Sequence, residues 1–198
     1  MIKTIIFDIN GVLFPVQPYI ERQGEISRSK FRMIKQMVID IYKKGKISKE
    51  YLRKKIYSGS NKNLSKKELD VIFKSLTLID KDIFTLIKKL SGDYKIYSIV
   101  NEAPKWTDIR VELFNLDKFI QKIFVSSEVG IQKPDKRIYD LFLRETKLNP
   151  QECLFIDDRK ENIKSAKELG FETIFFETKG KLIKKMKEYK IKKLTLNL

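Results

Sequence analysis

Four places in the chain put a polar side chain directly after a short apolar run. Asp8 follows Ile2-Lys3-Thr4-Ile5-Ile6-Phe7 and leads into Ile9-Asn10-Gly11-Val12-Leu13. Asn101 follows Lys95 to Val100, and Lys133 lies in Ile131-Gln132-Lys133-Pro134-Asp135, soon after Ile123-Phe124-Val125. Asp157-Asp158 follow Leu154-Phe155-Ile156. Carboxylates and one Lys, brought together, suit phosphoryl transfer. A carboxylate such as Asp8 can attack phosphorus and form an aspartyl-phosphate. Asp157, with Asp158, can join Asp8 in holding Mg²⁺, a hard cation that takes oxygen ligands. Without a cation the carboxylates would repel one another and the phosphate, and Lys133 would offset part of that charge.

The apolar runs must be strands if these residues are to meet. Each is short and rich in β-branched residues. Helical patterns separate them: Asp82 to Leu90, Thr107 to Phe114, Lys136 to Glu145, a segment through Leu169 with Gly170 as its stop, and Gly180 to Tyr189. Thr173 to Phe176 reads as the last strand. Asp158-Arg159-Lys160-Glu161 has the form of a capping box, with Asp158 as N-cap. Strands alternating with helices imply a parallel sheet covered on both faces. The carboxyl ends of parallel strands share one edge, where ligands collect. The expected fold is therefore an α/β, Rossmann-like parallel sheet.

One segment departs from this alternation. Phe14-Pro15-Val16-Gln17-Pro18 breaks regular structure, and from about Tyr19 to Leu78 the pattern is helical. Apolar residues recur at Phe31, Ile34, Met37, Val38, Ile41 and Tyr42. Gly45 closes that helix, Ser48 opens the next, and Ser65-Lys66-Lys67-Glu68 is a capping box for a third. The domain reading is a core of residues 1–15 and 79–198 with an all-helical insertion over 16–78.

Composition narrows the chemistry. The 198 residues include no His, which excludes His-based triads and His-ligated zinc. Acid–base work near neutral pH would fall to carboxylates, Lys or Tyr. Cys153 is the one cysteine and sits in an apolar run, so a buried thiol and a cytoplasmic setting are expected. No apolar run reaches the length of a membrane span, and the first strand starts too early for a signal peptide. The formal net charge is +16, but only eight of the 42 basic residues are Arg and the Lys residues are dispersed. The expectation is a field that favours small anionic substrates, with no nucleic-acid or membrane partner. A monomer or homodimer is expected.

The stretch Asp8-Ile9-Asn10-Gly11-Val12-Leu13 resembles the first motif of the haloacid dehalogenase superfamily, Asp-x-Asp-Gly-(Thr/Val)-(Leu/Ile) after a strand. Lys133-Pro134-Asp135 resembles its third motif and Asp157-Asp158 its fourth, and the match covers nearly the whole chain. The helical insertion resembles the small cap of one subclass. Gly45-Lys46-Ile47-Ser48-Lys49-Glu50-Tyr51-Leu52 is similar to a cap segment of its sugar-phosphate phosphatases and of epoxide-hydrolase phosphatase domains. The resemblance implies a Mg²⁺-dependent phosphomonoester hydrolase with a small phosphorylated substrate. It implies Asp8, Asn10 and Lys133 as the catalytic positions. Asp8, the Asn10 backbone carbonyl, Asp157 and Asp158 would hold the metal. Gly11, Val100, Asn101 and Lys133 would bind substrate. Tyr19, Arg22, Arg28 and the Tyr51–Tyr57 segment would lie near the opening.

Two departures stand out. The family's second Asp protonates the leaving oxygen and later activates water, and Asn10 cannot exchange a proton in that way. Loss of such a group costs about 10²–10⁴-fold. The second motif usually ends in Ser or Thr, where this chain has Val100; Ser98 lies deeper on the same face. Four readings stay open: a slow phosphatase; one for substrates such as acyl phosphates, whose leaving group needs no proton; a phosphate- or partner-binding protein without catalysis; and an Asn introduced for Asp to trap substrate. Dehalogenation is disfavoured, since family dehalogenases usually carry Tyr at position 10.

Overall fold

The structure is a computed structural model that describes residues 1–15, 77–102 and 104–194, with isolated positions 50, 54, 65, 70, 73 and 74. Most of the expected helical insertion over 16–78, with Tyr19, Arg22, Arg28 and nearly all of the Tyr51–Tyr57 segment, lies outside the described residues.

The strands are β1 (Thr4–Phe7), β2 (Lys95–Val100), β3 (Lys122–Val125), β4 (Cys153–Asp157) and β5 (Glu172–Phe175). They form one sheet in the order β3-β2-β1-β4-β5, every pair parallel. The helices are α1 (Lys81–Leu90), α2 (Pro104–Phe114), the single turn α3 (Ser126–Val129), α4 (Lys136–Thr146), α5 (Lys160–Glu168) and α6 (Lys179–Glu188). The α/β expectation is met, with boundaries shifted by one to three residues.

The alternation of side chains along β1 explains the two-sided cover. Ile5 and Phe7 face a core completed by Ile83, Leu86 and Leu90 of α1 and Leu182 and Met186 of α6. Ile6 faces the opposite core, with Ile138, Tyr139 and Phe142 of α4 and Ala166 of α5. A middle strand buried on both faces needs an apolar residue at almost every position, as Thr-Ile-Ile-Phe supplies.

Registers level the strand ends. Phe7 pairs with Ser98 on one side and Ile156 on the other. Asp8 is thus set one step beyond both, beside Asp157. The Asp8 amide continues the ladder by donating to the Ile156 carbonyl at 2.8 Å. The chain then turns: Gly11 and Phe14 are joined by a hydrogen bond from the Gly11 N–H to the Phe14 carbonyl at 3.0 Å. Leu13 accepts from the Asp80 N–H at 2.9 Å, so residues 1–15 and the start of α1 meet at this turn.

Two local expectations change. Asp158 does not cap α5; Arg159 occupies the N-cap, with no side-chain cap bond. The Asp157 carboxylate accepts the Arg159 N–H instead, at 2.8 Å. The first helical turn of α2 begins at Pro104, three residues before the expected Thr107. Pro suits the first turn because no intrahelical partner awaits its missing N–H.

Cys153 is fully buried in β4, and burial pushes its thiol up to about 12. No helix among the described residues is long and apolar enough to cross a membrane.

Candidate active site

Asp8, Asp157 and Asp158 converge at the carboxyl edge of the sheet, each offering an oxygen within 4.8 Å of the others. Asp8 and Asp157 come from adjacent strands in register; Asp158 follows from the next residue of the chain. Gly11 makes room for the third carboxylate. Its φ of +86° suits Gly, and a Cβ there would overlap the Asp158 carboxyl group. The first-motif turn and the fourth-motif carboxylate therefore fit together only because position 11 has no side chain.

Lys133 supplies the cation. Its Nζ donates to Asp157 Oδ2 at 2.7 Å and lies 3.1 Å from Asp8 Oδ1, with the side chain almost wholly buried. Burial alone would lower the Lys133 pKa, but the Asp8 and Asp157 charges outweigh it and raise the pKa. Asp8 is pushed up to about 8, first by burial; Lys133 works against the rise, and Asp157 and Asp158 add to it. Asp158 is also raised, by burial and then by Asp157. One Lys charge among three carboxylates leaves an excess of negative charge, and the donor set is all oxygen. Such a set fits a hard divalent cation.

Asp157 is fixed from several directions. Beyond Lys133 and the Arg159 N–H, both of its oxygens accept from Asn162 Nδ2, at 2.9 and 3.0 Å. Asn162, on α5, was not a site candidate in the sequence. Its sign was its position on the first turns of a helix that begins just after two Asp residues.

Asn101 meets Lys133. Its Nδ2 donates to the Lys133 carbonyl at 2.7 Å, and its Oδ1 accepts the Lys133 N–H at 2.8 Å. Both ends of this amide thus hold the loop that carries the Lys. Val100 ends β2 with its side chain fully buried, and Ser98 is also fully buried.

The Asn10 side chain meets Arg110 and Glu102. Its Oδ1 accepts from Arg110 Nη1 at 2.7 Å, and its Nδ2 donates to Glu102 Oε2 at 3.3 Å. Arg110 also donates to Glu102 Oε2 at 2.7 Å. The guanidinium lies 4.3 Å from the Phe14 ring centroid and 5.9 Å from that of Trp106. Burial lowers the Arg110 pKa, and Glu102 and Asp8 oppose that. The Asn10 backbone N–H donates to Asp8 Oδ1 at 3.3 Å, tying this network to the central carboxylate.

Arg110 and Glu102 were missed in the sequence. Trp106, Arg110 and Phe114 recur at helical spacing, but that spacing does not mark the Arg as buried. Beside the carboxylates opens a cleft of about 430 Å³ lined by Gly11, Pro15, Asp158, Lys160 and Phe176.

Known proteins share the family pattern and the fold of this chain. The sequence pattern of the haloacid dehalogenase-like hydrolases matches residues 2–170. A D-ribitol-5-phosphate phosphatase from Bacteroides thetaiotaomicron is 28% identical over 87% of this chain and 91% of its own. The sesquiterpene phosphatase astK of Aspergillus oryzae is 28% identical over 85% of this chain and 86% of its own. A Bacteroides thetaiotaomicron structure of this fold, in complex with magnesium and inorganic phosphate, aligns with a TM-score of 0.58 at 24% identity, over 89% of this chain and 95% of that one.

Proposed function

The chain belongs to the haloacid dehalogenase-like hydrolases, and from that membership we propose that it is a Mg²⁺-dependent phosphatase whose nucleophile is Asp8. The observation that carries the reading is the buried cluster of Asp8, Asp157 and Asp158 bridged by Lys133. Phosphatase names among relatives that align along most of the chain support it.

Asp8 is placed to attack phosphorus at the strand edge, with Lys133 holding one of its oxygens. Lys133 keeps the nucleophile oriented and offsets charge that would repel an incoming phosphate. Asp8, Asp157, Asp158 and the Asn10 backbone carbonyl would hold Mg²⁺, and a magnesium complex of a structural neighbour is in keeping with that assignment. Bound there, Mg²⁺ would offset phosphoryl charge. Gly11, Val100, Asn101 and Lys133 would bind the phosphoryl group, with Asn101 acting through the Lys133 loop. Val100 offers no hydroxyl there. Residues 16–78 would form the helical cap and select the substrate, a small phosphorylated molecule. A cytoplasmic setting completes the proposal.

The test is steady-state hydrolysis of para-nitrophenyl phosphate with Mg²⁺ and with chelator. Turnover that needs Mg²⁺ and disappears in Asp8→Asn is expected. If neither the intact protein nor any variant turns over with Mg²⁺ present, the phosphatase reading fails and a binding role replaces it.

A further inference from the structure

The surroundings of Asn10 call for one acceptor and one donor, which suits an amide and disfavours an ionised carboxylate of the same shape. Glu102 and Arg110 present opposite charges to its two ends. Its Oδ1 meets a guanidinium donor at 2.7 Å, and its Nδ2 meets a carboxylate acceptor at 3.3 Å. An amide has one acceptor end and one donor end, so it satisfies both. An ionised carboxylate at position 10 accepts only. Its second oxygen would face Glu102 Oε2 where an N–H now donates, and two like charges would be buried at hydrogen-bond distance. Arg110 cannot turn aside to relieve this. Its side chain is 1% exposed, pairs with Glu102 at 2.7 Å, and lies over Phe14. Asn10 is therefore part of a built network, anchored by two residues that the rest of the site does not use.

We propose that this network makes the enzyme selective by leaving group, so that its substrates are acyl phosphates, whose leaving oxygen departs as a stable anion, and not alkyl phosphates such as sugar phosphates. The inference rests on the phosphatase reading above and specifies its substrate class. In the first step an Asp8 carboxylate oxygen forms a bond to phosphorus. The bond from phosphorus to the acyl oxygen breaks, and its electron pair leaves with the carboxylate product. No proton is needed at that oxygen. In the second step a water oxygen attacks phosphorus, the bond to Asp8 breaks with its pair returning to the Asp8 carboxylate, and the proton lost from water passes to solvent. The products are a carboxylate and inorganic phosphate. An alkyl phosphate would have to release an alkoxide, which needs a proton that the Asn10 amide, held between Arg110 and Glu102, does not provide.

The test uses the full chain with Mg²⁺. It measures kcat/KM for acetyl phosphate, for aryl phosphates of graded phenol acidity, and for a panel of sugar phosphates. The intact protein is expected to slow steadily as the phenol becomes less acidic, and to favour acetyl phosphate over every sugar phosphate by about 10²-fold or more. Asn10→Asp alone is expected to leave that dependence in place, because the proton of a carboxyl there is donated to Glu102, where Asn10 Nδ2 donates now, and not to a leaving oxygen. Asn10→Asp combined with Glu102→Gln, which gives position 10 an amide neighbour, is expected to flatten it. A flat dependence in the intact protein, or a sugar phosphate turned over within about tenfold of acetyl phosphate, overturns the inference and leaves the phosphatase reading standing. No turnover of any substrate, acetyl phosphate included, removes the phosphatase reading and this inference with it.

Discussion

Two buried polar networks flank Asp8, and they differ in charge. On the β4 side, Lys133 faces Asp8 and Asp157, with Asp158 beside them. That side carries an excess of negative charge, and the Asp8 pKa is raised first by burial and then by Asp157 and Asp158, against Lys133. On the α2 side, one Arg110 faces one Glu102, and the third member is a neutral amide. Among the described residues that side is balanced. The difference teaches how to read each. An unbalanced buried cluster is costly alone and suits a cation. A balanced, mutually hydrogen-bonded triad implies a fixed support.

Removing the cation of each network should separate the two roles. Lys133→Met should lower kcat by about 10²–10³-fold, as loss of a preorganised charge at a reacting phosphoryl group does. Steady-state kinetics at saturating substrate would measure it, and a change confined to KM would contradict the role. Arg110→Met should act chiefly on folding. It removes the guanidinium that pairs with the buried Glu102 carboxylate, and breaking such a pair costs about 3–5 kcal/mol. Urea unfolding of the metal-free protein checks this, and an unchanged midpoint would mean the pair contributes little.

Finer changes sharpen the contrast. Asn162→Ala removes the donor that holds both Asp157 oxygens. Mg²⁺ affinity should fall by about 10–100-fold, as is usual when a ligand's supporting partner is lost. Calorimetric titration would read it directly.

A further effect is on pH dependence without metal. The Asp8 carboxyl ionises near 3.8 in an unfolded chain and near 8 in the fold. Between those values the folded state holds the extra proton. Stability from this group therefore falls as pH rises from about 4 to about 8, and levels off above. In chelator, Asp8→Asn should gain thermal stability relative to the unchanged protein as pH rises through this window. Parallel melting curves at both ends of the window would contradict the assignment.

The same two networks mark how far the sequence could be read. The β4 side was legible because each of its parts follows a recognisable strand. Asp8 and Asp157 end apolar runs, and Lys133 precedes a Pro that starts a new pattern. Parallel topology then forces these positions to one edge. The α2 side was hidden for a physical reason. Glu102 and Arg110 find each other through helix packing, and nothing in local spacing says that an Arg on a helix is buried. Starting α2 at Thr107 also left Trp106 outside it and obscured the stripe that ends in Phe114. The capping-box reading of Asp158 failed because Asp157, one residue earlier, already accepts the helix-entry N–H and holds Asn162 as well.

The claim that Asp8 is the nucleophile is tested most directly by trapping. The protein would be mixed with Mg²⁺ and acetyl phosphate, quenched in acid, reduced with borohydride, and digested for peptide mass spectrometry. An aspartyl-phosphate is reduced to homoserine, so the account predicts homoserine at position 8 and none there in an unphosphorylated control. Unmodified Asp8 in a sample that has released acetate, or homoserine at Asp157 or Asp158 instead, would contradict it.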